Sequence, residues 1–332
     1  MNAPAIIVTG GAGFIGSHAC KALAAAGYQP VAVDNLRTGH RDAVKWGPFE
    51  FADIRDSSAL ARIMQRHQAK MVMHFAAAAY VGESVERPGF YYDNNVGGTI
   101  ALLRAMQLAQ VHQIVFSSSC ATYGVPEELP IRECAPQQPI NPYGHSKLMC
   151  EQMIRDSAAS GKLHFAILRY FNACGADPDG ELAERHDPET HLIPLAMQAA
   201  AGTRPALQVF GTDYNTPDGT CIRDYIHVRD LARAHVMALD WLASGREDIM
   251  VNLGQGTGHS ILEILEAIEN VTGTRPPWEA AARRAGDPPI LVADTTLARN
   301  TLGFRPELSD LNSILCHAAP HFGLEVRNEI CA

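Results

Sequence analysis

Tyr143 and Lys147 stand four residues apart in Tyr143-Gly-His-Ser-Lys147. On a helix, positions i and i+4 share one face, so this spacing sets a phenol beside an ammonium. A free tyrosine titrates near ~10. A neighbouring cation favours the phenolate and brings it toward working pH as a general base. Upstream, Ser117-Ser118-Ser119 closes an apolar run. The Ser119 hydroxyl can bridge the phenol and a substrate oxygen. Together the three groups can take, hold and return a hydroxyl proton. Taken singly, the spacing also fits an ordinary amphipathic helix, and the serines fit a loop.

A second constellation lies at Thr9-Gly10-Gly11-Ala12-Gly13-Phe14-Ile15-Gly16. Glycines allow a tight turn and let backbone N–H groups approach a pyrophosphate, and a helix N-terminus adds partial positive charge. The spacing is G-x-x-G-x-x-G, and a Gly-rich turn alone would read the same way. The next apolar run ends at Asp34, eighteen residues after Gly16, where a carboxylate can meet ribose hydroxyls. The pair points to a dinucleotide. Asp34 opposes a 2′-phosphate, so NAD is favoured over NADP. Arg37 works against that preference but reads more simply as a solvated loop arginine. Asp53 and Ile54 follow another apolar run and can meet the adenine edge, or be a plain turn.

These groups need elements to position them. The pattern predicts strands at 5–9, 29–34, 71–75, 113–118 and 164–170, and helices at 16–26, 57–67, 96–109 and 143–160. That β-α-β alternation implies a Rossmann-type doubly wound parallel sheet, in the α/β class. After Asn172 the texture changes. Residues 176–190 read as an acidic loop, and helices are expected at 192–201, 230–242 and 260–272, with mixed sequence at 203–229. The expected division is a nucleotide-binding domain at 1–172, rejoined by elements of about 220–256, and a smaller mixed α/β substrate-binding lobe at 173–332.

The chain has 332 residues, 47% hydrophobic and 19% charged, enough for a buried core and too apolar for disorder. A net charge of −9 disfavours nucleic acid as a partner. No apolar run approaches the ~18 residues of a membrane span, and residues 1–8 lack the pattern of a signal peptide. A cytoplasmic protein is expected. Eight cysteines at irregular spacing, with no C-x-x-C, suggest reduced thiols. No metal is expected: His317 and His321 are four apart, but Pro320 interrupts them and no third ligand is evident. His74 reads as a partly buried histidine.

With Gly10–Gly16, Ser119 and Tyr143/Lys147 in this order, the chain resembles the extended short-chain dehydrogenase/reductase superfamily. More narrowly it resembles the UDP-glucose 4-epimerase family. That likeness rests on Val8–His18, Val81–Val85, Tyr91–Val96, Phe116–Ser119, Pro142–Gly144 with Ser146–Met149, Leu168–Asn172, Arg223–Val228 and Arg283–Asp287. These segments run nearly end to end.

The resemblance implies reversible inversion at C4 of the hexose in a UDP-sugar, by transient hydride transfer to tightly held NAD through a 4-keto form. It implies Tyr143 as the base, Ser119 as positioner or relay, and Lys147 on the nicotinamide ribose. It implies cofactor contacts from Gly10, Gly13, Phe14, Ile15, Gly16, Asp34, Asn35, Asp53, Ile54, Phe75, Asn94, Tyr143, Lys147 and Phe171. The UDP-sugar would meet Ser119, Asn172, Leu192, Gln208, Phe210, Arg223, Arg284 and Asp287, with the two arginines on the diphosphate and Asp287 on the uridine ribose. A homodimer through 96–109 and 143–160 is also implied.

Two departures from the family pattern stand out. Ala79 replaces a lysine that some members carry near the cofactor. Leu291 replaces a tyrosine that restricts the sugar 2-substituent, so an N-acetyl group could fit. Alternatives are an epimerase for another UDP-sugar (an N-acetylhexosamine or a pentose), an NAD-dependent nucleotide-sugar dehydrogenase, and, last, a non-catalytic NAD sensor. A 4,6-dehydratase is disfavoured because Cys120, Ala121 and Thr122 supply no carboxylate after Ser119.

Overall fold

The structure is a computed structural model describing residues 3–284, 287–327 and 329. Its first half is built of β1 (Ala5–Thr9), α1 (Phe14–Ala25), β2 (Gln29–Asp34), β3 (Phe49–Phe51), α2 (Ser57–Arg66) and β4 (Met71–His74). Short helices α3 (Val81–Glu86) and α4 (Pro88–Tyr91) lead through a π-helical turn, Tyr92–Gly97, into α5 (Gly98–Ala109). β5 (Gln113–Ser119), α6 (Pro142–Ala159) and β6 (His164–Tyr170) follow.

The second half holds β7 (Asn172–Cys174), α7 (Leu192–Ala200), β8 (Leu207–Phe210), β9 (Ile222–His227), α8 (Val228–Ala243), β10 (Ile249–Leu253) and β11 (Gly258–Ser260). It closes with α9 (Ile261–Thr272), β12 (Trp278–Ala281), β13 (Ile290–Leu291), α10 (Thr296–Leu302) and α11 (Leu311–Ala318).

Seven strands form one parallel sheet in the order β10-β6-β5-β4-β1-β2-β3. Its central strands are almost continuously apolar because both faces are covered. Alternation along β1 shows the two layers. Ile6 and Val8 pack with Leu23 of α1 and Leu231 and Leu239 of α8. Ala5 and Ile7 pack with Leu60 of α2, Leu102 of α5 and Ile154 of α6. This is the doubly wound Rossmann-type sheet expected from the sequence. The parallel strands point their C-terminal ends to one edge, where ligands of such sheets bind.

A smaller sheet centres on β9, which pairs with β7, β11 and β13. Beside it β8 and β12 form a parallel pair. A separate apolar cluster joins Ile193 and Met197 of α7 to Ile264 and Ile268 of α9 and Ile314 of α11.

Several expectations needed correction. The helix placed at 96–109 begins at Gly98, and the residues before it wind into the wider π turn. Asn172, the last residue of the expected nucleotide-binding domain, opens β7 in the other sheet. The stretch at 203–229, read only as mixed, contains β8 and β9, too short and too polar to show an apolar run. Cys20, Cys120, Cys134, Cys150, Cys174 and Cys221 are free thiols, but Cys316 is disulfide-bonded, against the all-reduced expectation. Pairing depends on proximity in space, which irregular sequence spacing does not report. Cys331 lies outside the described residues. Among the described residues, no helix is long and apolar enough to cross a membrane.

Candidate active site

The glycine turn connects β1 to α1 at the C-terminal edge of the large sheet. Gly10 has a left-handed backbone (φ 71°), and a Cβ there would meet the Ala76 backbone at 2.7 Å. A Cβ on Gly16 would come within 2.1 Å of the Gly10 carbonyl oxygen, so α1 can start this close to the turn only with glycine. Phe14 and Ile15 open α1. Its N-cap, Gly13, provides no side-chain cap, and the first turn carries no acidic residue. The free N–H groups and the helix dipole there suit an anionic pyrophosphate.

Asp34 ends β2 beside this turn. Its carboxylate accepts the N–H of Ala12 at 3.1 Å and of Leu36 at 2.8 Å, while burial raises its pKa. Asn35 Nδ2 donates to Asp53 Oδ2 at 3.0 Å, so the ends of β2 and β3 are tied together. Arg55 holds the Asp53 carboxyl well below its usual range. Ile54 is buried against Gly98, where a Cβ would strike its side chain at 2.4 Å. Arg37 is an exposed loop residue, as expected, and stacks on Phe90 at 3.8 Å and lies 3.5 Å from Glu83. The residues present therefore fit a dinucleotide with free ribose hydroxyls.

Phe75 follows β4, with its ring 4.6 Å from that of His235. The loop behind it is held by an amide the sequence reading passed over. Asn95 accepts the Ala78 N–H at 2.8 Å and donates to the Ala78 carbonyl at 3.0 Å and to Ser146 Oγ at 2.9 Å. Asn94 donates to Asn95 Oδ1 at 3.0 Å. Ala79 is exposed. His74 is fully buried between Thr9 and Thr99, and burial lowers its pKa to about 3.

Ser119, Tyr143 and Lys147, the candidate proton-handling groups, lie where β5 ends against the first turns of α6. That helix starts at Asn141, whose side chain accepts the Gly144 N–H at 2.8 Å, with Pro142 in its first turn. Tyr143 and Lys147 share its buried face, 8% and 3% exposed. Lys147 Nζ donates to the Ser117 carbonyl at 2.8 Å and lies 5.0 Å from the centre of the Phe116 ring. Burial pushes Lys147 down to about 8.

Burial also pushes the Tyr143 phenol well above its ordinary value, whereas a hydrogen bond with Ser119 pulls it down. Desolvation dominates in the bare protein, so ionisation of Tyr143 needs positive charge nearby.

Behind these groups runs a buried polar network that the sequence reading missed. Arg169 of β6 donates to both Glu151 carboxylate oxygens, the shortest contact being 2.7 Å. Ser118 donates to the same carboxylate, and Tyr123 joins through Arg169 at 2.9 Å. Glu151 sits one turn beyond Lys147, so the network pins α6 to β5 and β6.

The smaller sheet brings together residues far apart in the chain. Arg223 on β9 donates to Asp287 Oδ1 at 2.5 Å, and Leu291 of β13 pairs with Arg223 across the strands. Asn172 Nδ2 donates to the Asp224 carbonyl at 2.8 Å. Arg284 stacks on Phe210 at 4.0 Å and remains exposed. Phe171 and Leu291 pack in one small cluster with Tyr123 and Ile131. Leu192 opens α7, half-buried. Gln208 Nε2 donates to Glu279 Oε2 at 3.1 Å. Ala285 and Gly286, inside the Arg283–Asp287 motif, lie outside the described residues.

Asp224, inside the Arg223–Val228 segment, is a further buried residue that was not singled out from the sequence. Its carboxylate accepts N–H groups of Gln255, Gly256 and Ala293 at 2.8–3.1 Å, and burial raises its pKa to about 6. It fastens β9 to the loops after β10 and β13.

Residues 6–254 match the NAD dependent epimerase/dehydratase family. A UDP-glucose 4-epimerase of Rhizobium meliloti (strain 1021) is 53% identical over 302 residues, 91% of this chain and 92% of that one. Among solved structures, UDP-glucose 4-epimerase from Brucella ovis in complex with NAD matches with a TM-score of 0.96 at 58% identity, over 98% of this chain and 100% of that one. UDP-glucose-4-epimerase from Stenotrophomonas maltophila, with bound NAD and formylated UDP-arabinopyranose, matches with a TM-score of 0.93 at 44% identity, over 97% and 98%.

Proposed function

The chain belongs to the NAD dependent epimerase/dehydratase family, and from that premise we propose how its residues carry out reversible C4 epimerisation of a UDP-hexose with NAD. The observation that carries the reading is the buried Ser119/Tyr143/Lys147 set at the edge of the sheet that also holds the glycine turn.

Gly10, Gly13, Phe14, Ile15 and Gly16 cradle the cofactor pyrophosphate, Asp34 takes the adenosine ribose, and Asn35, Asp53 and Ile54 border the adenine. Phe75, Asn94 and Phe171 line the way to the nicotinamide. Bound NAD⁺ supplies a positive charge and a hydride acceptor that is restored within each turnover, so no second substrate is consumed. Lys147 donates to the nicotinamide ribose and, with the cofactor's charge, brings Tyr143 down from its raised value. Tyr143 takes the proton from the sugar 4-hydroxyl, with Ser119 orienting that oxygen. The 4-keto sugar turns its other face, and Tyr143 returns the proton to O4.

Arg223 and Arg284 hold the diphosphate about which the sugar swings, because a guanidinium fork matches phosphate oxygens. Asp287, already paired with Arg223, accepts from the uridine ribose. Asn172, Leu192, Gln208 and Phe210 complete the nucleotide end. In this reading residues 1–172 with β10 form the cofactor lobe, and most of 173–332 forms the substrate lobe. Leu291 leaves room for a 2-N-acetyl group beside Arg223. The enzyme works as a homodimer through α5 and α6, whose Ile100 and Met149 are 53% and 46% exposed.

The test is proton NMR of the purified protein with UDP-galactose and no added cofactor. UDP-glucose forming to a stable ratio without net NADH is the expected outcome. Net NADH would favour the dehydrogenase reading. No conversion even with added NAD⁺ would refute the UDP-hexose assignment.

A further inference from the structure

Four side chains of the segment between β7 and α7 converge on one point. Glu184, His186, Glu189 and His191 each offer one ligand atom, and these atoms all lie within 4.8 Å of one another. His191 Nδ1 is 2.9 Å from Glu184 Oε1 and 3.0 Å from Glu189 Oε1. His186 Nδ1 is 3.2 Å from Glu184 Oε1 and 3.4 Å from Glu189 Oε2. Each imidazole thus faces both carboxylates. Zinc binds imidazole nitrogen and carboxylate oxygen at about 2.0–2.2 Å, which puts the corners of a tetrahedron about 3.3–3.6 Å apart. The two His186 separations are near that spacing; the two His191 separations are shorter, at hydrogen-bond length, and Glu189 Oε1 also accepts the N–H groups of Thr190 and His191, so His191 must move outward by a few tenths of an ångström to admit an ion.

Three further observations set this group apart from ordinary surface charge. The Glu184 and Glu189 side chains are only 5% and 6% exposed, a burial that carboxylates tolerate when paired or bound to metal. His186 Nδ1 is buried and makes no hydrogen bond, although two carboxylates face it. Among the described residues, no lysine or arginine pairs with either glutamate.

A neighbouring cluster gives the contrast. Asp177, Asp179 and Glu181 also converge, but Lys21 Nζ reaches all three at 2.6–2.7 Å, so that group already has its cation.

We propose that Glu184, His186, Glu189 and His191 form a tetrahedral site for a divalent transition-metal ion, zinc foremost. Two imidazoles with two carboxylates suit zinc better than magnesium or calcium, which prefer oxygen shells. Two carboxylates also balance the ion's charge. The site is structural: four protein ligands close the shell, and no bond is made or broken there. Its position gives it a task. His186 lies edge-on to Phe14 at 6.2 Å and to Tyr80 at 5.9 Å, and Arg185 pairs with Asp42 at 2.9 Å. His191 is the N-cap residue of α7, just before Leu192. The ion ties the segment after β7 across the glycine turn and fixes the start of α7.

The experiment uses tag-free full-length protein. Expected results are about one zinc per chain after gel filtration, and loss of that zinc to a chelator with a Tm lower by about 5 °C, restored by zinc. Stripped protein titrated with Co²⁺ should give the intense visible bands of a tetrahedral site at one equivalent. A His186→Asn/Glu189→Gln double variant should take up less than about a tenth as much. Because that variant can misfold, the stripped wild type decides. If it takes up neither Zn²⁺ nor Co²⁺ one-to-one at micromolar concentration, the proposal is overturned, and the four side chains are a closed set of histidine–glutamate ion pairs.

Discussion

Tyr143 and Lys147 lie one helical turn apart and are almost wholly buried, whereas Arg223 and Asp287 meet from positions 64 residues apart. The first pair rests on a rigid parallel sheet and is backed by the Glu151–Arg169 network. The second sits on a small sheet, with Arg284 exposed beside it. The difference follows from the two tasks. A proton-transfer group must be desolvated so that a cofactor's charge can move its pKa by a useful amount. A diphosphate site must keep its cations charged and open to a ligand arriving from water. In the proposed reading burial marks the chemical half of the site, whereas the binding half combines an exposed Arg284 with an Arg223 whose side chain is 12% exposed.

That contrast can be broken most sharply at Tyr143. Tyr143→Phe should lower kcat by about 10³-fold while leaving bound NAD in place. Steady-state kinetics together with cofactor content would show it, and unchanged turnover would remove Tyr143 from the mechanism. Arg223→Ala should do the opposite, raising KM by about 10–100-fold with kcat little altered, because a charge-assisted contact made equally in ground and transition states is lost. A matching fall in kcat would mean that Arg223 acts in the chemistry after all.

The pH profile sharpens the comparison. Lys147 is held down to about 8, so its ammonium is present below that pH and lost above it. The kcat should fall about tenfold between pH 7 and pH 9, and Lys147→Arg should remove that limb if it folds with activity. A wild-type profile flat to pH 10 would contradict a required ammonium. The smallest effect is expected at Leu291. Leu291→Tyr should cut turnover of UDP-N-acetylglucosamine relative to UDP-glucose by about fivefold. Should the wild type show no turnover of the acetylated sugar, the open pocket at Leu291 is refuted.

Much of the fold was legible because β1, β2, β4, β5 and β6 are apolar runs punctuated by helical periods. β3 was not, since three half-exposed residues, Phe49–Phe51, carry no run to recognise. Nor were β7, β9 and β13, whose pairing depends on partners far along the chain. At the site, Asn94 and Asn95 are adjacent identical amides, and only the π turn decides that Asn95 is the one buried. Histidine spacing drew attention to His317 and His321, yet His317 hydrogen-bonds His227 at 3.1 Å. The convergent histidines were in the acidic loop, where no helical or strand period relates them.

What the sequence by itself determined is everything encoded within a turn or two. The glycine turn before α1, the carboxylate at the end of β2 and the Tyr143/Lys147 pair are short-range geometries, dictated by glycine sterics and helical pitch. Only the tertiary structure decided the electrostatics and the long-range contacts. Desolvation raised Tyr143 and lowered Lys147, and the β9–β13 pairing set Leu291 beside Arg223. Burial and proximity depend on how distant segments pack, and no local spacing contains that information.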